Sequence, residues 1–70
     1  MQLTHNSLQQ YIGKYVSIKT DYWNFINERV ISVKDSYIVT EYYHHIKTRE
    51  DGILRENWID ISRIESIEEA

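Results

Sequence analysis

Side chains able to carry out catalysis occur in this chain, but none is placed beside a suitable partner. The sequence has no cysteine, so a nucleophile would have to be a hydroxyl or a carboxylate next to a base. Asp60 and Glu65 flank a predicted turn, where we expect them to be solvated or paired with Arg63. The serines in or next to turns, where serine commonly caps backbone groups, are Ser36, Ser62 and Ser66. We predict a protein that is not an enzyme.

A histidine pair beside two tyrosines, residues 42–45, is the most prominent cluster of possible metal ligands. Adjacent residues of a strand point to opposite faces of the sheet, so His44 and His45 cannot share one metal ion within a single chain. His5 is remote from both in sequence. We therefore predict no metal site and no cofactor, and we expect these residues to face solvent or an interface.

An aromatic pair, Tyr22-Trp23, lies between turn-forming residues and is the most informative candidate site. At a hairpin tip such a pair can stack on nucleobases or anchor a protein interface; alternatively, one ring folds back over the end of the barrel. Nearby basic residues could contact phosphates, or they could pair across strands with Glu28 or Glu41. The six candidate ligand-binding residues are Lys19, Tyr22, Trp23, Arg29, Tyr43 and Arg63.

Charge is distributed unevenly along the 70 residues, whose net charge is −3. Residues 1–34 carry four basic and two acidic side chains, whereas residues 35–70 carry four basic and nine acidic ones. Non-specific nucleic-acid binders are usually basic, so this balance counts against a large phosphate-binding surface. No apolar run approaches transmembrane length, and residues 1–10 lack the pattern of a signal peptide. We expect a single cytoplasmic domain, residues 1–70, with no membrane partner.

Hydrophobic periodicity predicts a short helix followed by five antiparallel strands. The helix is capped by Asn6 or Ser7 and stopped at Gly13. A change of apolar face near residues 30–31 indicates a bulge or a strong bend in the second strand. The predicted strands are Lys14–Thr20, Phe25–Val33, Tyr37–Thr48, Ile53–Ile61 and Glu65–Glu68, with a turn at Lys34–Ser36, a charged hairpin loop at Arg49–Gly52 and a 3₁₀ turn at Ser62–Ile64.

The predicted core is formed by the inward-facing apolar residues of these elements, and Trp58 is expected at a barrel edge or a subunit interface. The predicted fold is all-β, a small five-stranded barrel with a short N-terminal helix and a 3₁₀ turn before the last strand. The core residues are Leu8, Ile12, Val16, Ile18, Ile26, Val30, Val33, Ile38, Ile59, Ile61, Ile64 and Ile67.

Three segments, Ser7–Thr20, Arg29–Thr40 and Ile59–Ile67, resemble the Sm-like superfamily, whose bacterial members are the Hfq-type proteins. The resemblance implies that the fold is a small five-stranded SH3/Sm-like barrel, with a tendency to form rings through the fourth and fifth strands. Trp58 and Asp60 stand near the position where Hfq-type proteins carry a Lys-His pair. The RNA-binding residues of the family therefore do not carry over to this chain.

Two functions follow as hypotheses. The first is a non-catalytic, homo-oligomeric binding module that binds RNA or a nucleotide-like ligand by stacking on aromatic side chains. The second is a protein–protein interaction module, an adaptor or inhibitor, that uses the acidic half of the chain against a basic partner. Self-assembly through strands four and five is expected in either case, because a small open barrel leaves two strand edges unpaired.

Overall fold

A computed structural model describes residues 4–45 and 52–70 and shows an all-β chain with one short helix. The five strands form one antiparallel sheet in the order β4-β3-β2-β1-β5. The prediction of five strands, an N-terminal helix and a 3₁₀ turn before the last strand is confirmed. The barrel is open, with β4 and β5 as its edges. The elements are α1 (His5–Leu8), β1 (Tyr15–Thr20), β2 (Asn24–Val33), β3 (Tyr37–His45), β4 (Gly52–Asp60) and β5 (Ile64–Glu69).

The N-cap of the N-terminal helix lies two or three residues before the predicted cap, Asn6 or Ser7. Thr4 is the N-cap, and a capping box joins its side chain to Ser7. After Leu8 the helix tightens into a 3₁₀ turn, Gln9–Tyr11, so Ile12 leaves the helical face and is 43% exposed. The prediction that Ile12 belongs to the core is therefore wrong. Gly13 ends the segment at a φ of 85°, the left-handed conformation expected of a helix stop.

β2 contains two irregularities, one predicted and one not. The register against β3 shifts between Val30 and Ser32, which confirms the predicted change of face. A second shift lies opposite β1, where Asn27 adopts a φ of 55°. This extra residue turns Ile26 away from the core and leaves it 73% exposed, so its assignment to the core is wrong. Phe25, which is not among the predicted core residues, packs against the core instead.

The hydrophobic core lies between one face of the sheet and Leu8 of the N-terminal helix. Ile64 and Ile67 pack against it while remaining half-buried. Val39 is also buried but lies outside this cluster, on the opposite face, where it pairs with Trp58. The core cluster consists of Leu8, Val16, Ile18, Val30, Val33, Ile38, Ile59 and Ile61. Ten of the twelve predicted core residues are therefore in the core or packed against it.

β3 and β4 form the longest pair in the sheet, with an unbroken antiparallel register from Tyr37–Asp60 to His45–Gly52. The last predicted residues of β3, 46–48, and most of the predicted charged loop, residues 49–51, lie outside the described residues. The 3₁₀ turn before the last strand spans Ile61–Arg63, one residue earlier than predicted. It places β5 beside β1 and leaves β4 with a single neighbour.

Candidate functional site

The aromatic loop, residues 21–24, connects β1 to β2 and is held by Thr20. The buried Thr20 hydroxyl accepts hydrogen bonds from the backbone N–H groups of Tyr22 and Trp23 at 3.3 and 2.8 Å. It also donates to the Trp23 carbonyl at 2.6 Å, and the Thr20 N–H donates to the same carbonyl at 2.9 Å. These bonds define the backbone of the loop without any contribution from the aromatic rings.

Arg63, at the end of the 3₁₀ turn, contacts two residues of the loop, Asp21 and Tyr22. Its Nε donates to Asp21 Oδ1 at 3.0 Å, and its guanidinium lies over the Tyr22 ring, 4.5 Å from the centroid. The Asp21 N–H in turn donates to the Arg63 carbonyl at 3.2 Å. The expected ion pair of Arg63 with Asp60 or Glu65 is therefore replaced by one with Asp21.

The two aromatic rings of the loop have different environments. Tyr22 packs edge-on against Phe25, with the ring centroids 6.1 Å apart, and so partly covers the end of the barrel. Trp23 does not fold back and is 65% exposed. Lys19 lies close by, since it pairs with Asn24 across β1 and β2. The structure thus brings together three of the six predicted site residues, Tyr22, Trp23 and Arg63, and places Lys19 on the strand that leads into the loop.

Arg29 and Tyr43, the other two predicted site residues, line a separate groove. Arg29 forms an ion pair with Glu41, in which Nε donates to Oε1 at 2.6 Å and Nη2 contacts the same oxygen. This cross-strand pair is the alternative that the sequence left open. The groove has a volume of about 580 Å³ and is lined chiefly by Tyr15, Ile26, Asn27, Arg29, Glu41, Tyr43 and Leu54.

A buried polar cluster, which sequence reasoning missed, joins β2, β3 and β4. Glu28 is only 6% exposed, and its carboxylate accepts hydrogen bonds from Thr40 Oγ1 at 2.6 Å and from Asn57 Nδ2 at 3.0 Å. Both donors are neutral, so the charge of Glu28 is hydrogen-bonded but not balanced by them. The sequence signal was weak, because a single Glu in a strand usually faces solvent.

Trp58 was predicted to lie at a barrel edge or at a subunit interface. It lies on the edge strand β4 and is more than half exposed. Its ring centroid is 6.2 Å from that of Tyr37, and Lys34 Nζ lies 5.5 Å from it. Lys34 is therefore associated with Trp58 and Tyr37, whereas Arg29 is paired with Glu41.

Asp60 caps the 3₁₀ turn that carries Arg63. Its Oδ1 accepts hydrogen bonds from Ser62 Oγ at 2.7 Å and from the Ser62 N–H at 2.9 Å. These two bonds, and more weakly the charge of Arg63, hold the pKa of the Asp60 carboxyl below its ordinary value. Its role is local and structural: it closes the turn that positions Arg63.

Comparison with known proteins identifies no relative: no family model matches the chain, and neither the curated proteins nor the solved structures include a significant match. The resemblance to Sm-like proteins therefore stays a prediction. Across residues 4–45 and 52–70, no helix has the length and apolar character needed to span a membrane. The same part of the chain contains no group of three side chains positioned to bind a metal ion.

Proposed function

We propose that this chain is a non-catalytic protein-interaction module of the cytoplasm, with the aromatic loop as its anchor. One observation supports this most directly: Trp23 is largely exposed although the backbone that carries it is fixed by Thr20. A rigid, exposed aromatic side chain gains contact area on binding while losing little conformational entropy. Trp, Tyr and Arg are also the residue types that dominate binding hot spots, and the loop presents Trp23, Tyr22 and Arg63 together.

The charges around the loop favour a protein over RNA. Single-stranded RNA binding combines base stacking with a positively charged groove along the backbone. Arg63 is paired with Asp21, and Arg29, far along β2, is paired with Glu41. Lys19 is the remaining predicted phosphate contact at the loop. RNA or a nucleotide stacked on Trp23 next to Lys19 is the second candidate.

Cross-linking distinguishes these two candidates. The variant Trp23→benzoylphenylalanine, which carries a photoreactive side chain, is irradiated in an extract of the source cells. The matched control is Trp58→benzoylphenylalanine, which places the same side chain at the other exposed tryptophan. We expect a discrete protein adduct from position 23 that survives RNase treatment. An excess of unmodified wild-type protein should suppress this adduct, whereas an excess of the Trp23→Ala variant should not.

Other outcomes of the cross-linking decide against the proposal. The absence of a position-specific protein adduct would overturn it. An adduct lost on RNase treatment, together with saturable binding of oligo(U) or oligo(A) that Trp23→Ala abolishes, would favour the RNA candidate instead.

Self-assembly, including ring formation of the Sm-like kind, is part of the same proposal. β4 is a nine-residue edge strand without proline, and β5 forms the opposite edge. Unprotected edges offer backbone hydrogen-bonding groups to another strand. Light scattering at several protein concentrations should give a mass that is a multiple of 8.5 kDa. A monomer at every concentration would remove self-assembly from the proposal and leave the loop as a monomeric anchor.

A further inference from the structure

We propose that the groove beside the β2 bulge is a second docking surface, which binds a short protein segment carrying a basic residue between apolar ones. The groove is distinct from the aromatic loop, so this inference does not depend on the function proposed for Trp23. Its lining residues come from four strands, β1 to β4. Those strands span about 14 Å at the usual spacing, the length of four to five extended residues.

The walls of the groove are apolar and exposed. Ile26 is turned outward by the bulge at Asn27, and Tyr43 is 66% exposed on β3. Tyr15 and Leu54, on β1 and β4, are more than half exposed as well. Four large side chains around one depression form a contiguous apolar surface, which on a small protein commonly marks a binding site.

Charge on the same face of the sheet identifies the kind of occupant. Arg29, Glu41 and Glu56 are successive partners across β2, β3 and β4 and therefore share one face. Two carboxylates thus stand directly opposite each other, an arrangement that destabilises a sheet unless a cation lies between them. Arg29 contacts Glu41 only through Oε1, and the Glu41 side chain is 15% exposed.

A further carboxylate, that of Glu28, lies beneath this face of the sheet. Glu28, on β2, is buried and is held by the neutral donors Thr40 and Asn57. On the groove face one guanidinium, that of Arg29, therefore stands against the two carboxylates of Glu41 and Glu56, whereas Glu28 and Arg55 belong to the opposite face of the sheet. A lysine or arginine of the partner, placed next to Glu41 and Glu56, would offset the surplus negative charge, and its apolar neighbours would cover Ile26, Tyr43 and Leu54.

The test uses a labelled hexapeptide of alternating leucine and lysine, with a leucine–glutamate hexapeptide as the control probe. Fluorescence anisotropy with the full chain should show saturable binding of the first peptide alone, weakening as salt increases. Glu41→Gln should weaken binding about tenfold, because it removes a carboxylate that is largely shielded from solvent. Glu65→Gln makes the same change of net charge on β5, outside the groove, and should leave binding unchanged.

Two further variants separate local effects from misfolding. Tyr43→Ser removes an exposed apolar wall and should weaken binding without lowering the unfolding temperature, and Trp23→Ala should have no effect on this peptide. Absence of saturable binding would overturn the inference, as would equal binding of the two peptides. So would equal losses for Glu41→Gln and Glu65→Gln, since these would indicate a non-specific attraction to net charge.

Discussion

The aromatic loop and the groove differ in how their shapes are maintained. The loop is fixed by a buried hydroxyl three residues from its tryptophan, and its aspartate, Asp21, is paired with Arg63 of the 3₁₀ turn. The groove is shaped by a strand bulge at Asn27 and by residues of four strands, and it carries more carboxylates than cations. A local network thus produces a rigid anchor with balanced charge, whereas a tertiary arrangement produces a concave surface with unbalanced charge.

The largest expected effect lies beneath the groove. Thr40→Val preserves the shape of a fully buried side chain but removes its hydrogen bond to the Glu28 carboxylate. We expect the free energy of unfolding to fall by about 1.5–3 kcal/mol, the range for a hydrogen bond to a charged group. Urea denaturation monitored by circular dichroism measures this change. A loss no larger than that of an exposed substitution would show that Asn57 alone satisfies Glu28.

A second substitution makes the equivalent change in the loop. Thr20→Val removes the hydroxyl that binds two backbone N–H groups and the Trp23 carbonyl. We expect a smaller loss of unfolding free energy, about 1–2 kcal/mol, because the freed loop groups can bind water. In a Trp58→Phe background, the anisotropy of Trp23 fluorescence should fall as the loop loosens. Thr40→Val should leave that anisotropy unchanged; a fall in both variants would contradict the independence of the two regions.

The bulge that shapes the groove depends on the left-handed conformation of Asn27. Asn27→Ala should lower the unfolding free energy by about 0.5–1 kcal/mol, because alanine adopts a positive φ less readily than asparagine. Asn27→Gly is the control and should be at least as stable as the wild type. Denaturant titration of both variants measures the difference. Equal stability of the Ala and Gly variants would mean that the bulge imposes no conformational demand at this residue.

The smallest expected effect concerns acid pH and the turn that carries Arg63. Because the folded-state pKa of Asp60 lies below its unfolded value, its contribution to stability is fully present above the unfolded pKa. That contribution should be lost as the pH falls through the folded-state pKa, so the 3₁₀ turn and the Arg63–Tyr22 contact should loosen first. NMR chemical shifts of Ser62 and Tyr22, followed from neutral to acid pH, test this. In Asp60→Asn the acid-dependent shift of Ser62 should disappear.

Much of the fold followed from local patterns in the sequence. The alternation of Val16 and Ile18 and of Ile59 and Ile61 identified buried residues correctly, since burial on one side of a strand requires a period of two, although Ile61 itself begins the 3₁₀ turn. The core assignments of Ile12 and Ile26 were wrong for the same reason, because the backbone departs locally from the regular repeat of its helix or strand. A 3₁₀ turn replaces the helix before Ile12, and an extra strand residue follows Ile26. Asparagine within a run of β-forming residues was the one available signal for the second.

The candidate sites were likewise only partly predictable from the sequence. Tyr22 and Trp23 were recognisable because turn-forming residues flank them, and the hydroxyl that fixes them lies in the same short segment. The groove was not recognisable, because Tyr15, Ile26 and Leu54 come together only through strand register. Likewise, nothing local indicated that Arg63 would pair with Asp21, which is 42 residues away.

The sequence by itself determined the approximate positions of the strands, of the closing segment Ile59–Ile67 and of the aromatic loop, because each is marked by a pattern within a few residues. The tertiary structure alone decided which charges are neutralised: Arg29 by Glu41, Arg63 by Asp21, and Glu28 by hydrogen bonds from neutral donors. The reason is that electrostatic interactions depend on distance in space. In an antiparallel sheet that distance is set by register and bulges, and these are properties of paired strands rather than of any one segment.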